Sequence, residues 1–148
     1  MEDDEPFKVR NNFPASTIEP SHKIRGFLRA AKLMAKQSSY GKIRHGAVLV
    51  KGGSIINSSY NKDKFSAFGS RFRGQDLGPA THHAELGCIL GLSRAKTVGA
   101  TIYVVRINKE GKYRMSKPCP MCHKILKHCG IKRVVYTKNE NEIESYKL

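Results

Sequence analysis

Two short motifs in this chain combine residues that hold metals with a residue that moves protons. His83-Ala84-Glu85 sets an imidazole two positions from a carboxylate, and Pro118-Cys119-Pro120-Met121-Cys122 sets two thiols three residues apart. Residues three apart share one side of a helical turn, so Cys119 and Cys122 can address one ion, and His83 from a facing helix start would complete a three-donor set. Three protein donors with one position left for water mark a catalytic zinc, because the ion acidifies that water; structural zinc is closed by four protein donors. Glu85 is then the candidate proton shuttle, taking a proton from the water, passing it to a ring nitrogen and protonating a departing amine. Each motif opens a predicted helix, whose positive dipole end favours deprotonated donors.

Other uses of these residues weigh less. A closed finger from Cys119, Cys122, His128 and Cys129 would leave only five residues between Cys122 and His128, far short of usual finger loops. A redox Cys-x-x-Cys pair belongs after a first strand, whereas this one follows a third. His82 is the rival of His83, but the His-x-Glu spacing selects His83 and leaves His82 toward solvent or substrate. His45 precedes a strand, where it either reaches a phosphate or sits on the surface. Cys88 and Cys129 read as small buried apolar residues, and His123 has no assigned task.

The elements that must position these motifs follow from hydrophobic periodicity. Ser21 is a helix N-cap ahead of Ile24, Phe27, Leu28, Ala31, Met34 and Ala35, which recur at three- and four-residue steps. His45 to Val50, a Gly52-Gly53 turn and Ser54 to Ser59 read as a hairpin. Residues 61 to 81 keep no core-forming period and read as a loop. A second helix spans about His82 to Arg94, a strand Thr101 to Ile107, then a basic turn with Lys109, Gly111, Lys112 and Arg114. Pro118 suits the first turn of a third helix ending before Gly130, followed by a strand from Ile131 to Tyr136, with Ile143 to Leu148 as a hairpin partner. This order predicts an α/β fold, a mixed sheet with helices packed on it.

The chain has 148 residues with 39% hydrophobic content, the size of one domain. We divide it into a flexible acidic arm, residues 1–21, and a single folded domain, 22–148. No run approaches the roughly 18 apolar residues of a membrane span, the acidic start Met1-Glu2-Asp3-Asp4-Glu5 is not a secretion signal, and four cysteines are too few for a disulfide scaffold. These features predict an intracellular protein, cytoplasmic or nuclear, with no membrane partner. The formal charge is +15, and residues 22–139 carry 24 Lys or Arg against Asp63, Asp76, Glu85 and Glu110. A field of that sign attracts polyanions.

Taken in order, the His-x-Glu and Pro-Cys-x-x-Cys motifs resemble the signature of the zinc-dependent cytidine and deoxycytidylate deaminase superfamily, which includes the tRNA adenosine deaminases and the AID/APOBEC polynucleotide deaminases. The resemblance extends to Gly46-Ala47-Val48-Leu49-Val50, Ser59-Tyr60-Asn61 and Gly130-Ile131-Lys132-Arg133-Val134-Val135-Tyr136, covering roughly residues 22 to 137. It implies a three-layer fold with a mixed central sheet of about five strands and helices on both faces. It also implies one catalytic zinc held by His83, Cys119 and Cys122, with Glu85 as the catalytic acid and base. By the same likeness Asn61 would bond the sugar, the Ala84 backbone would meet the base, and Ala47 or Val48 would line the pocket floor.

Substrate choice rests on the rim. The loops over 37–44, 62–80 and 108–117 offer basic residues interleaved with aromatics, among them Tyr40, Arg44, Phe72, Arg73, Tyr113 and Arg114, a pattern suited to single-stranded nucleic acid. The short stretch after Thr137 points instead toward the free-cytidine branch, while His83 stands where that branch usually has cysteine. The reading that results is hydrolytic deamination of cytosine to uracil, with single-stranded DNA or RNA placed ahead of free deoxycytidylate or cytidine. Adenosine deamination in RNA and an inert nucleic-acid-binding protein on the same fold follow.

Overall fold

The computed structural model describes residues 15–38, 43–65 and 81–148. Alternating apolar residues build a sheet of seven strands in the order β1 (Ser16–Ile18), β9 (Ile143–Lys147), β8 (Arg133–Thr137), β6 (Thr101–Ile107), β2 (Arg44–Lys51), β3 (Ser54–Tyr60), with β7 (Tyr113–Arg114) added alongside the end of β6. β6 and β8 are parallel and the other pairings antiparallel, so the predicted mixed sheet and its closing β8–β9 hairpin are present. Two more strands than expected come from the arm, where Ser16–Ile18 pairs with β9, and from Tyr113–Arg114, assigned above to a turn. Gly52 and Gly53 take positive φ of 62° and 81°, the paired left-handed conformation that a two-residue hairpin turn requires.

Strand parity sorts the side chains into two cores. Ala47, Leu49, Ile102, Val104, Val134, Tyr136 and Tyr146 pack on one face with two helices, α2 (Ala84–Ile89) and α4 (Pro120–His128). Val48, Val50, Tyr103, Val105, Ile107 and Val135 pack on the other face with α1 (His22–Ala35). Ser21 caps α1 as expected, its side chain accepting from the Ile24 N–H. Gly46 lets α1 approach closely: a Cβ there would lie 2.0 Å from the Ala31 carbonyl oxygen, well inside contact distance.

The second helix differs from the prediction. It ends at Ile89, where Gly91 turns the chain, and Arg94–Thr97 forms a separate short helix α3; the apolar run continued past the point where glycine breaks the backbone. The segment expected to be all loop begins and ends in strands, β4 (Lys62–Phe65) pairing with β5 (Thr81–His82).

Candidate active site

The two motifs meet at two helix starts. His83 is the N-cap of α2 and Cys119 the N-cap of α4, where its sulfur accepts from the Cys122 N–H and Pro120 takes the first helical position, its missing N–H costing nothing. The helix thus begins two residues later than Pro118 suggested. Ser116 fixes the approach to α4: its Oγ lies 2.9 Å from the Val104 carbonyl oxygen and 3.1 Å from that of Thr137, tying residues 115–118 across the ends of β6 and β8. His83 Nδ1 then lies 3.2 Å from Cys122 Sγ and 3.7 Å from Cys119 Sγ, and all three donor atoms fall within 4.8 Å of one another. One imidazole nitrogen and two sulfurs form a donor set suited to zinc. Cys88 is buried and Cys129 partly buried, as small apolar residues, and neither joins the cluster.

A cavity of about 280 Å³ opens beside this cluster, lined by Ile43, His45, Asn61, His83, Ala84, Glu85, Lys117 and Cys119. Glu85 is 5% exposed because almost every side of the six-residue α2 is packed into protein. Burial raises its carboxyl to about 7, against an opposing pull from His83. Hydrogen bonding to Cys122 pushes the Cys119 thiol down to about 4, with His83 acting the same way, and the same bond together with burial holds Cys122 protonated well above the usual thiol range. His83 is raised by its hydrogen bond to Cys119. Of the three donors, Cys119 is thus the sulfur most readily deprotonated, held down by its two neighbours.

The other wall of the cavity is the start of β2. Asn61 clamps it: its Oδ1 accepts from the His45 N–H at 2.9 Å and its Nδ2 donates to the Ile43 carbonyl at 2.9 Å, while its own N–H reaches the His45 carbonyl. The amide thus shapes the wall from within while still lining the cavity. His45, read from sequence as a surface or phosphate-facing residue, is a wall residue. Burial lowers its pKa to about 4, with Arg106 and His83 adding to the effect, so it is neutral at physiological pH.

Val48, Arg44 and Tyr113, expected at the pocket, lie on the other face because neighbouring strand residues point to opposite faces. Val48 sits in the α1-side core and cannot floor the pocket; Ala47 is on the correct face but buried beneath it. Arg44 faces away from the cavity into a separate basic hollow with Lys32, Lys36 and Lys109. Tyr113 also lies on the α1 side, with Lys32 Nζ 5.0 Å from its ring centroid. Arg114 is exposed in β7 beyond the cavity lining. Tyr40, Phe72 and Arg73 lie outside the described residues, and His82 is placed in β5 opposite Lys62. Ile43 and His45 were missed as lining residues. The alternation from the buried Ala47 back to residue 45 was the signal available for His45.

Comparison with known proteins adds an independent line. Residues 21–138 match the model of the cytidine and deoxycytidylate deaminase zinc-binding region. A deoxycytidylate deaminase of Mycobacterium phage D29 is 30% identical, matched over 76% of this chain and 91% of that protein. Among solved structures, the dCMP deaminase of cyanophage S-TIM5 in apo form superposes with a TM-score of 0.54 at 22% identity, covering 84% of this chain and 88% of that one. Acinetobacter baumannii RibD gives 0.52 at 20% identity, over 78% of this chain but only 28% of its own. The structural likenesses carry the fold.

Proposed function

The chain belongs to the family of cytidine and deoxycytidylate deaminases, zinc-dependent hydrolytic enzymes, and from that membership we propose that its substrate is a free cytidylate, deoxycytidylate first, whose 4-amino group it removes to leave the corresponding uridylate and ammonia. The observation that carries this reading is the small cavity itself, about 280 Å³ with Glu85 and the three donors on one side and Asn61 on the other. It suits one nucleotide. Of the basic and aromatic track expected for a strand, Arg44 and Tyr113, among the described residues, lie on the opposite face. The named phage relative supports the same substrate class.

His83 Nδ1 and the sulfurs of Cys119 and Cys122 would hold the zinc, which when bound supplies Lewis-acid activation of a water. Glu85 is not one of the donors. Its carboxylate takes a proton from the attacking water as the oxygen bonds to C4 of the cytosine, and delivers that proton to N3. It then carries the second water proton to the 4-amino nitrogen; the C4–N bond breaks, ammonia leaves, and C4 keeps the oxygen as a carbonyl. The buried Ala84 backbone flanks the ring, and Asn61 keeps the β2 wall in place beside the sugar. The catalytic domain in this reading is residues 22–148.

A second reading, deamination within a single strand, draws on the +15 formal charge and the hollow of Lys32, Lys36, Arg44 and Lys109. Incubating zinc-loaded protein with dCMP, deoxycytidine and a cytosine-containing oligonucleotide, and measuring the dUMP, deoxyuridine and uracil-containing oligonucleotide formed, separates the two. Fastest turnover per molarity on dCMP is expected. Uracil in the oligonucleotide alone would overturn the free-nucleotide reading.

A further inference from the structure

A concentration of positive charge on the α1 side of the sheet takes no part in the steps above. Successive helical residues are turned by about 100°, so Arg25, Arg29, Lys32 and the C-cap Lys36 fall within an arc of roughly 60° and run about 16 Å along one flank of α1. The helix itself contains no acidic residue. The Lys36 end of the row opens into a hollow of about 330 Å³, where Lys32 and Lys36 meet Arg44 from the start of β2 and Lys109 from the β6–β7 turn, with Glu110 the one acid lining it. At the other end Glu19 and Glu140 line a neighbouring hollow with Arg25 and Arg29, so the charge is least balanced around Lys32, Lys36 and Lys109. Among the described residues these three lysines form no ion pair.

The fold holds these cations together. Lys32 Nζ lies 5.0 Å from the centroid of the Tyr113 ring, and the turn that carries Lys109 is closed by three bonds: the Asn108 N–H to the Lys112 carbonyl, the Gly111 N–H to the Asn108 carbonyl, and the Lys112 N–H to Asn108 Oδ1. Like charges drawn from three elements into one hollow repel, and an anion seated among them removes that cost. The shape and the chemistry indicate which anion. A row of about 16 Å is longer than one phosphate group and matches a chain of them. Ammonium groups are point charges without a fixed fork, suited to backbone phosphates and silent about base identity. A membrane surface fits less well, since α1 spends Leu28, Ala31 and Ala35 on the core and leaves Leu33 as its one exposed large apolar residue. We propose that this flank and hollow hold the sugar–phosphate backbone of a nucleic-acid strand, irrespective of base, as a docking partner and not as a substrate. The strand lies across the sheet from Glu85, and the proposal does not depend on which free base is deaminated.

The test is binding of a fluorescent oligothymidylate, which contains no cytosine, to zinc-loaded full-length protein, followed by anisotropy across a series of salt concentrations. Four phosphate contacts at about 0.7 each predict that log affinity falls against log salt with a slope of about −3. The triple variant Lys32→Gln, Lys36→Gln, Lys109→Gln should make that slope shallower by about 2 and weaken binding at low salt at least 10-fold. A control triple, Lys96→Gln, Lys132→Gln, Lys147→Gln, removes the same charge from exposed positions elsewhere and should weaken binding by less than threefold. In the wild type, the oligonucleotide should protect Lys32, Lys36 and Lys109 from acetylation, mapped by mass spectrometry, and leave Lys96, Lys132 and Lys147 open, which keeps the proposal testable if the triple variant does not fold. No binding by the wild type, a flat salt response, equal losses in the two triples, or equal protection of both lysine sets would each overturn it. So would displacement of the oligonucleotide by dTTP or by polyglutamate at matched charge concentration, or tighter binding to phosphatidylglycerol vesicles than to the oligonucleotide. Uracil appearing in a cytosine-containing strand, and lost in the first triple alone, would make the strand a substrate and overturn the docking role. Absence of dCMP turnover with oligothymidylate binding intact would sink the free-cytidylate reading and leave this surface standing.

Discussion

The two faces of the one sheet are built from the same strands and have different contents. On the α1 side, Leu28, Ala31, Ala35, Val48, Tyr103, Val105 and Ile107 close an apolar core, finished by the Phe27–Tyr103 ring pair with centroids 5.0 Å apart. On the α2–α4 side an equally apolar layer is interrupted by buried polar groups: Glu85, His123 and the hydroxyl of Tyr146, which lies 3.4 Å from His123 Nδ1. Burying such groups costs free energy unless they are paired. The first face closes on apolar side chains, while the second buries a carboxyl near the cluster of His83, Cys119 and Cys122. The boundary between them is a single residue step: Arg44 and His45 are chain neighbours, yet one faces the basic hollow and the other the reaction cavity.

The largest expected effect tests the chemical face. Glu85→Gln keeps shape and removes the charge, so dUMP formation from dCMP should fall by about 10²- to 10⁴-fold, the share a positioned general acid and base contributes. Zinc measured by elemental analysis should stay at the wild-type ratio, because Glu85 is outside the donor cluster. The melting temperature should hold or rise, since a buried carboxyl raised to about 7 by its surroundings is not stabilised there. Loss of zinc together with activity would place Glu85 among the ligands and remove the contrast.

The structural face should respond in the opposite way. Gly46→Ala drives a methyl toward the Ala31 carbonyl and the Ala35 nitrogen, at 2.0 and 2.5 Å from the ideal Cβ. Backbone cannot give way cheaply, and overpacking typically costs about 1 to 3 kcal/mol, or roughly 3 to 10 °C in melting temperature for a chain of this size. Turnover per folded molecule, measured well below that temperature, should stay within about threefold of wild type. A collapse of turnover with unchanged melting would mean that α1 docking positions the cavity directly, and the two faces would not be separable.

This division explains what could be read before the structure. His83, Glu85, Cys119 and Cys122 were legible because metal chemistry imposes residue type and close spacing within single turns. The order of helices and strands, the Gly52-Gly53 turn and the β8–β9 hairpin followed from periodicity. The rim was not legible to the same degree. Assigning Arg44, Val48 and Tyr113 to the pocket needed strand parity and register, which depend on partners distant in sequence, and His45 was passed over for the same reason. Tyr113–Arg114 looked like turn because two residues show no period, and they become a strand only by pairing with the end of β6. The split of the second helix at Gly91 shows apolar content continuing after the backbone has stopped being helical.

The finest test uses the two neighbours that part at this boundary. His45 is held near pKa 4 by burial, and next by the charges of Arg106 and His83, with Cys119 opposing; in an unfolded chain histidine titrates near 6.5. Between those values the unfolded state binds a proton that the native state refuses, so stability rises with pH through this window, is fully present above about 6.5, and is lost as pH falls toward 4. After allowance for its partial exposure, the contribution is on the order of 2 kcal/mol. His45→Gln should therefore flatten the acid side of the stability curve, measured by urea unfolding between pH 4.5 and 7.5, whereas Arg44→Gln should shift the curve without changing its slope, because arginine keeps its charge throughout. Protonation of the zinc donors adds a slope common to all three proteins, so the difference between variants isolates His45. Parallel curves for His45→Gln and wild type would mean that the imidazole reaches solvent, and residue 45 would then belong with residue 44 rather than with the cavity.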